Sequence, residues 1–501
     1  MEFVNTFWAL VPPIVAIVLA LITKETYSSL FIGIVVGALF IAGMNPIGAL
    51  DTMINDGFIA AVADGWNAGI FLFLVILGIM VALINAAGGS ASFGKWAAKH
   101  VHTKMGALLA TFLLGVLIFV DDYFNCLTVG SVMRPVTDLQ KVSRAKMAYI
   151  IDATAAPICM IAPVSSWAAA VSATAADLDS GISGIQLFIQ AIPFNFYSLL
   201  TIVFVIGLTV MGFDYGPMAK AELEAMQGNL GALGEEEEVN VPKSSLWDML
   251  IPVIALIVCC IAGMMYVGGF WSGASLIDSF ADTDASVVLP WGSMIALIFT
   301  FIYLLCRRVV TFKEATACIV KGFNAMVPAL LILTFALTLK NMTGALGAAE
   351  YVAGLMDTAS KGLYSLLPAI IFLVAWGLAF ATGTSWGTFG ILIPIVLPIF
   401  PASSTLLMIG ISACLAGAVC GDHCSPISDT TIMASAGANC DHIQHVSTQL
   451  PYAITVALIS FVNYIIAGFV QSAVICLAIG VVMTIVVLFV LRATVGKKAQ
   501  A

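Results

Sequence analysis

Charge is scarce in this chain. Only 9% of its 501 residues are Asp, Glu, Lys or Arg, where a soluble domain carries about a quarter. A chain this poor in charge and 61% hydrophobic cannot hide its apolar surface in one soluble core. No cluster of Lys and Arg is present, which argues against nucleic-acid binding. No H-E-x-x-H, Walker or dinucleotide motif appears, so nothing in the sequence points to an enzyme, a nucleotide-driven pump or a bound cofactor. Of the 11 cysteines most, such as Cys259, Cys260 and Cys476, lie inside apolar runs. They read as small buried side chains rather than a disulfide framework.

In place of charge the chain has apolar runs of about 17–25 residues, the length that crosses a bilayer core. Full spans are expected over residues 7–22, 28–44, 69–87, 147–176, 185–212, 249–267, 288–306, 326–340, 406–433, 452–470 and 472–491. The first reads as a span rather than a cleaved signal peptide, since no basic stretch and no small-residue cleavage site accompany it. Two apolar segments are interrupted by polar residues. Residues 106–135 hold Asp121, Asp122, Asn125 and Thr128, and residues 363–400 hold Thr382-Gly383-Thr384-Ser385-Trp386-Gly387-Thr388. Both are expected to be re-entrant hairpins, because irregular backbone at membrane depth must be covered by protein or line a wet cavity. Residues 213–246, with Glu235 to Glu238, read as a solvated linker between two halves.

The basic residues support that layout. Lys95, Lys99 and Lys104 precede the first hairpin, and Arg134, Lys141, Arg144 and Lys146 follow it. Asp51, Asp56 and Asp64, and later Asp278, Asp282 and Asp284, mark acidic loops. The alternation puts the N-terminus outside, the C-terminus in the cytoplasm, and the two hairpins on opposite faces. The halves also match in order. Asn67-Ala68 pairs with Asn324-Ala325, Thr128-Val129-Gly130 with Thr388-Phe389-Gly390, and Pro135 with Pro394. Ala162-Pro163-Val164-Ser165-Ser166 pairs with Ser425-Pro426-Ile427-Ser428-Asp429, each inside an expected broken helix. The expected fold class is therefore an all-α polytopic membrane protein of two inverted-topology repeats with re-entrant hairpins and broken helices. Scaffold spans are expected over residues 1–66, 247–323 and 450–501, and the repeats over 67–212 and 324–449.

An ionised Asp at the bilayer centre costs about 2.5–3.5 kcal/mol. Asp121, Asp122, Asp152, Asp422 and Asp429 all sit in apolar or small-residue segments, so a polar cavity is expected around them. Oxygen donors stand beside them: Asn125, Thr128, Ser165, Ser166, Thr384, Ser385, Thr388, Ser425, Ser428 and Thr430. Hard cations take such ligands, and Na⁺ and H⁺ compete for the same carboxylate oxygens. Some of these hydroxyls are equally able to bond their own helix backbone. Asp122, Asn125, Ser428 and Asp429 are the expected Na⁺ ligands, with Asp122 and Asp429 the coupling carboxylates, one per half. Tyr123, Phe124, Trp167 and Trp386 lie near the hairpin tips, where they could line a pocket for a larger solute. No Arg or Lys is evident within a span to pair an anionic one. His442 and His445 read as loop histidines. Gly383-Thr384-Ser385-Trp386-Gly387 fits the nucleophile-elbow pattern but lacks its soluble strand–turn–helix setting, and Cys420, His423, Cys424 and Cys440 match no structural zinc spacing.

Phe119-Val120-Asp121-Asp122-Tyr123-Phe124-Asn125 and Gly421-Asp422-His423-Cys424-Ser425-Pro426-Ile427-Ser428-Asp429-Thr430-Thr431 resemble the signature of the NhaC family of Na⁺/H⁺ antiporters, and the likeness runs from Asn67 to Tyr452. The resemblance implies the ion transporter superfamily fold, with a mobile transport domain moving elevator-fashion on a scaffold. It also implies a homodimer in the bacterial inner membrane that exchanges Na⁺ for H⁺. Members resemble malate/lactate and tetracycline exchangers too. A Na⁺-coupled carrier of a small amino acid or carboxylate therefore stands open beside the antiporter, and a channel is a third reading.

Overall fold

A computed structural model describes residues 3–23, 25–119, 122–162, 184–233, 243–274, 283–348, 350–351, 364–401 and 404–496, together with Ser165, Trp167, Val171 and Ser279. Apart from one isolated bridge between Ala232 and Cys440, the described residues are helical or in turns and coil. The chain begins with α1 (Val11–Thr23), α2 (Thr26–Ile41) and, after a helical stretch over residues 46–63, α3 (Gly65–Ala86). Then follow α4 (Gly89–His100), α5 (Lys104–Leu117), α6 (Asp122–Leu139), α7 (Arg144–Thr154) and the single turn α8 (Ala156–Cys159). α9 (Gly184–Ala191) leads into α10 (Phe196–Met211), and α11 (Gly216–Met226) closes the first half. The second half comprises α12 (Trp247–Val267), α13 (Ala285–Cys306), α14 (Phe312–Ala345), α15 (Leu367–Thr382) and α16 (Ser385–Val396). It ends with α17 (Thr405–Cys424), α18 (Asp429–Ala438), α19 (His442–Val470) and α20 (Ala473–Leu491).

Among the described residues seven helices are long and apolar enough to cross a membrane, or eight if α9 and α10 count as one bent span. That is a polytopic membrane protein, and its described residues show fewer uninterrupted spans than the eleven read from the sequence. Prolines account for part of the difference. Residues 185–212 are bent by 48° at Pro193 and Asn195, where the Asn195 side chain accepts from Ser198 N–H and restarts the helix. The expected broken span over 147–176 breaks earlier than Pro163. Ala155 leaves the helix at φ −88°, ψ −97°, because Pro157 offers no N–H and crowds the preceding turn. Pro163, Val164 and Ser166 lie outside the described residues, as does Asp121.

The two interrupted segments are helix pairs. α5 and α6 pack on each other, and Gln140 Nε2 donates to Val101 O at 2.8 Å, so the pair begins and ends at one place. α15 and α16 also pack together, and Tyr364 OH donates to Ile399 O at 3.5 Å, so this pair closes at its base as well. Gly383, at φ +65°, turns the chain between them in a conformation that a side chain would strain. The bases sit at opposite ends of α19. Near the start of that helix, the segment that pairs with the base of α5 and α6 touches Gln444: Glu222 holds Lys104, and Gly231 approaches Gln444. Near its end, Gly468 packs on the backbone of Ser365.

Helices α1, α2, α3, α12, α13 and α14 pack in sequence against one another, and α5, α6, α7, α15, α16, α17, α18 and α19 form a second packed group. α14 touches α18 and so joins the two. α17 lies at the centre of the second group, where every residue from Leu406 to Cys424 is buried. Close crossings there rely on small residues. Gly130 on α6 faces Gly437 on α18, and a Cβ on either would meet the other helix's backbone.

Two further expectations are corrected. α14 runs for 34 residues, about 50 Å, so Asn324 lies inside a helix and not at its start, and Lys313 and Lys321 are helical rather than in a loop. The linker is not uniformly solvated. α11 packs on α7 and α19, with Glu222 buried and accepting from Ser143 N at 2.8 Å as well as from Lys104. The Glu235–Glu238 run itself lies outside the described residues.

Candidate functional site

The densest polar run of the sequence falls where expected, at the break between α17 and α18. Pro426 has no N–H to continue α17, and Ser428 restarts the helix by accepting from Thr431 N–H at 3.3 Å. Asp422 thus closes one helix and Asp429 opens the next. Asp422 is 1% exposed; its Oδ2 accepts from Ser385 Oγ at 2.7 Å, and its Oδ1 has no partner among the described residues. Ser385 belongs to α16, so the second hairpin is pinned to the break by this bond. Ser428 Oγ and Thr430 Oγ1 lie 3.0 Å apart. Ser425 Oγ is spent on Phe380 O at 2.8 Å.

Asp429 joins the halves. Its Oδ2 accepts from Tyr123 OH at 2.7 Å and its Oδ1 from Thr430 N at 2.8 Å. Tyr123 follows Asp122 in the first turn of α6, and both Asp122 and Asp422 act electrostatically on its hydroxyl. Asp122 is fully buried. A cavity of about 200 Å³ opens beside Asp429, lined by Trp66, Tyr123, Lys340, Thr384 and Trp386 among others. A wider cavity of about 720 Å³ shares Trp66, Leu337, Lys340, Thr382 and Thr384 with it and reaches Asp56, Asp64 and Thr388.

Not every candidate reaches these cavities. Asn125 is buried and turns its amide on three backbone carbonyls, Gly115 O at 2.6 Å, Ile118 O at 2.9 Å and Thr154 O at 3.1 Å. These are the open ends of α5 and α7, so its Nδ2 caps two helices, while its Oδ1 is buried with no partner among the described residues. Ser165 Oγ donates to Cys159 O at 2.8 Å and Ala162 O at 3.0 Å, and Thr388 Oγ1 to Thr384 O at 2.8 Å, both bonding backbone. Thr128 Oγ1 is buried with no partner among the described residues.

The sequence reading missed several groups. Lys340, five residues before the end of α14, is exposed and lines both cavities. His442 and His445 are buried in α19, not in a loop. His445 Nε2 stands 3.3 Å from Asp152 Oδ2, and Gln449 Nε2 donates to the same oxygen at 2.9 Å. His423 Nε2 is 3.7 Å from that oxygen, and its Nδ1 meets Tyr197 OH at 2.8 Å. Asp152 is therefore held by α19 and is not among the cavity residues. Tyr123 and Trp386 do line the inner cavity, whereas Trp167 is fully buried behind Trp386 with ring centroids 5.6 Å apart.

Residues 158–469 match the family described as the Na⁺/H⁺ antiporter family. The chain is 36% identical to an uncharacterized protein of Haemophilus influenzae across 98% of this chain and 96% of that protein. It is 30% identical to the malate-2H⁺/Na⁺-lactate antiporter of Bacillus subtilis across 32% of this chain and 34% of that protein. A third relative, an uncharacterized Na⁺/H⁺ antiporter of Haemophilus influenzae, is 32% identical across 21% of this chain and 24% of that protein. The match covers more than half of the chain and includes the polar break and the second hairpin, so the chain belongs to the Na⁺/H⁺ antiporter family, as its likeness to the NhaC antiporters implied.

Proposed function

We propose that the protein is a secondary antiporter that exchanges Na⁺ for H⁺ at Asp422 and Asp429. One observation carries this reading: Asp422 is buried with one oxygen held by Ser385 and the other with no geometric partner among the described residues, beside a second buried carboxylate across a helix break. Two carboxylates sharing a desolvated site need a positive charge between them, and Na⁺ and H⁺ answer that need alternately. Ser385, Ser428 and Thr430 supply neutral oxygens for the metal ion. Asp122, one residue before Tyr123, contributes to the same negative field.

Alternation follows from the two packed groups. The helices from α5 to α7 and from α15 to α19 carry the carboxylates and move as a transport domain. Those from α1 to α3 and from α12 to α14 form the scaffold of a homodimer. The helix pairs whose bases lie at opposite ends of α19 support two inverted repeats with re-entrant hairpins. The protein resides in the bacterial inner membrane with its N-terminus outside and its C-terminus in the cytoplasm.

The test uses purified protein in liposomes loaded with labelled Na⁺. An outward or inward pH gradient should drive Na⁺ uphill, at about 1.36 kcal/mol per coupled proton and pH unit. Asp429→Asn protein that inserts and folds should lose that driven movement. Wild-type driven exchange in this variant would sink the assignment.

A further inference from the structure

We propose that α4, the start of α12 and the turn after α13 form a docking patch for the headgroups of anionic phospholipids in the surrounding bilayer. The patch is separate from the cavities and does not depend on which ions the protein exchanges. Three spans fix its level. α3 ends at Ala86, just before α4, α12 starts at Trp247, and α13 ends at Cys306. These ends are tied together. Arg307 Nε donates to Asp248 Oδ1 at 3.1 Å and Arg307 Nη2 to Ser245 Oγ at 3.2 Å, which joins α13 to α12. Ser92 Oγ lies 2.7 Å from Ser244 Oγ, and Gly89 packs on the backbone of Asp248, which joins α4 to the same point. α4 therefore lies where three spans reach one membrane surface. With the N-terminus outside, that surface is cytoplasmic, the side whose leaflet carries anionic lipid.

The outer side of the patch has the chemistry that headgroups need. Lys95 and Lys99 stand one turn apart on α4, both exposed, and Lys243 and Arg308 are exposed beside the tied ends. None of these four cations has an ion-pair partner among the described residues. The acids at hand are already used. Asp248 is buried and holds Arg307, while Glu314 accepts from Thr311 and caps α14. Trp96, between the two lysines, is 40% exposed and stacks on His100 with ring centroids 4.6 Å apart, and Trp247 is 56% exposed. Phe93 is buried, so α4 turns an apolar side inward and a basic, aromatic one outward.

Indole rings settle at headgroup depth, and a cluster of four free Lys and Arg at the end of spans attracts acidic lipid. A soluble anion would use the cations but not the two exposed indoles. α4 is also the segment that leads from α3, in the first packed group, to α5, in the second. Lipid held there anchors the point from which the first helix pair departs.

The test reads binding, not transport. Full-length protein in detergent is titrated with phosphatidylglycerol or phosphatidylcholine whose brominated acyl chains quench nearby tryptophans. Phosphatidylglycerol should quench at a lower lipid fraction than phosphatidylcholine, and Trp96→Phe should remove part of that extra quenching. Added salt should weaken the preference. Each lysine beside an anionic surface is worth roughly fivefold in affinity, so Lys95→Gln with Lys99→Gln should move the phosphatidylglycerol midpoint up roughly 25-fold. Lys95→Arg with Lys99→Arg should keep it. Thermal unfolding gives a second readout, since a lipid that binds the folded protein stabilises it. Phosphatidylglycerol should raise the unfolding midpoint of wild type and of the Arg pair, but not of the Gln pair. Equal responses of wild type to the two lipids, or an unchanged quenching midpoint in the Gln pair, overturn the proposal. Lys220→Gln with Lys321→Gln removes the same charge from exposed positions elsewhere and should keep the preference. A loss there as large as in the Gln pair means that net charge alone decides, and overturns it too. Displacement of the lipid by inorganic phosphate, beyond that by chloride at equal ionic strength, assigns the patch to a soluble anion and also overturns the proposal.

Discussion

The two helix breaks of this protein use the same residue types for opposite ends. At the first, between α7 and α8, the polar side chains bond mostly to protein, although Asn125 Oδ1 has no partner among the described residues. Asn125 caps two helices, Ser165 bonds two carbonyls, and Asp152 is held by His445 and Gln449. At the second, between α17 and α18, the bonding is left incomplete. Asp422 Oδ1 has no geometric partner among the described residues, and Asp429 and Thr384 look into a cavity. Burying a polar group is costly unless it is paired, so an unpaired one at membrane depth marks where cargo supplies the missing partner. A polar residue in a span identifies a break, and only its partners tell whether that break is structure or site.

The largest expected effect separates the two carboxylates directly. Asp422→Asn should fold and insert, since an amide still accepts from Ser385, yet pH-driven Na⁺ accumulation should be lost. Asp152→Asn should do the reverse. It swaps an acceptor that serves two donors for a group with its own N–H, costing about 1–3 kcal/mol of stability per stranded partner. Driven exchange per folded molecule should persist. Driven exchange lost in both, with equal thermal stability, would erase the distinction between the breaks.

Asn125 sharpens the comparison at a smaller scale. As a cap it donates, and Asn125→Asp replaces that donor with an acceptor facing three carbonyls. As a Na⁺ ligand it accepts, and the same change would strengthen the site. The expected result is that Asn125→Asp is less heat-stable than Asn125→Ala, which itself loses about 1–3 kcal/mol for its stranded carbonyls. Tighter Na⁺ binding in Asn125→Asp would return the residue to the site.

This contrast explains what could be read in advance. The polar break at Ser425-Pro426-Ile427-Ser428 was legible because a proline and a run of short hydroxyl residues interrupt an apolar run. Both helix pairs were legible for the same reason, through Asp122 to Thr128 and Thr382 to Thr388. Asp429 and Thr384 could be named as candidates, but not their partners, because Tyr123 and Asp429 are 306 positions apart. Lys340 was legible as a residue near the end of its helix but not as a wall of both cavities, because Trp66 and Asp429, which share the inner cavity with it, are far from it in sequence. His445 was hidden similarly, since a histidine near a polar loop reads as solvated until the partner on α7 is known.

The smallest effect tests the bond that joins the halves. Tyr123→Phe removes only the hydroxyl on Asp429 Oδ2, and the ring keeps its place 6.0 Å from Trp66. Without that donor the carboxylate presents more charge to any cation. Na⁺ and H⁺ compete for the same oxygens, so both gain, and at acid pH the two gains cancel. In alkaline medium the proton no longer competes, and the Na⁺ gain alone remains. The KM for Na⁺ should therefore fall by up to ~10-fold at high pH, the worth of one hydrogen bond to a charged group, and change little at low pH. A purely structural tyrosine would lower thermal stability and leave the KM at every pH where it was. That outcome would detach α6 from the chemistry and assign the site to α16, α17 and α18 alone.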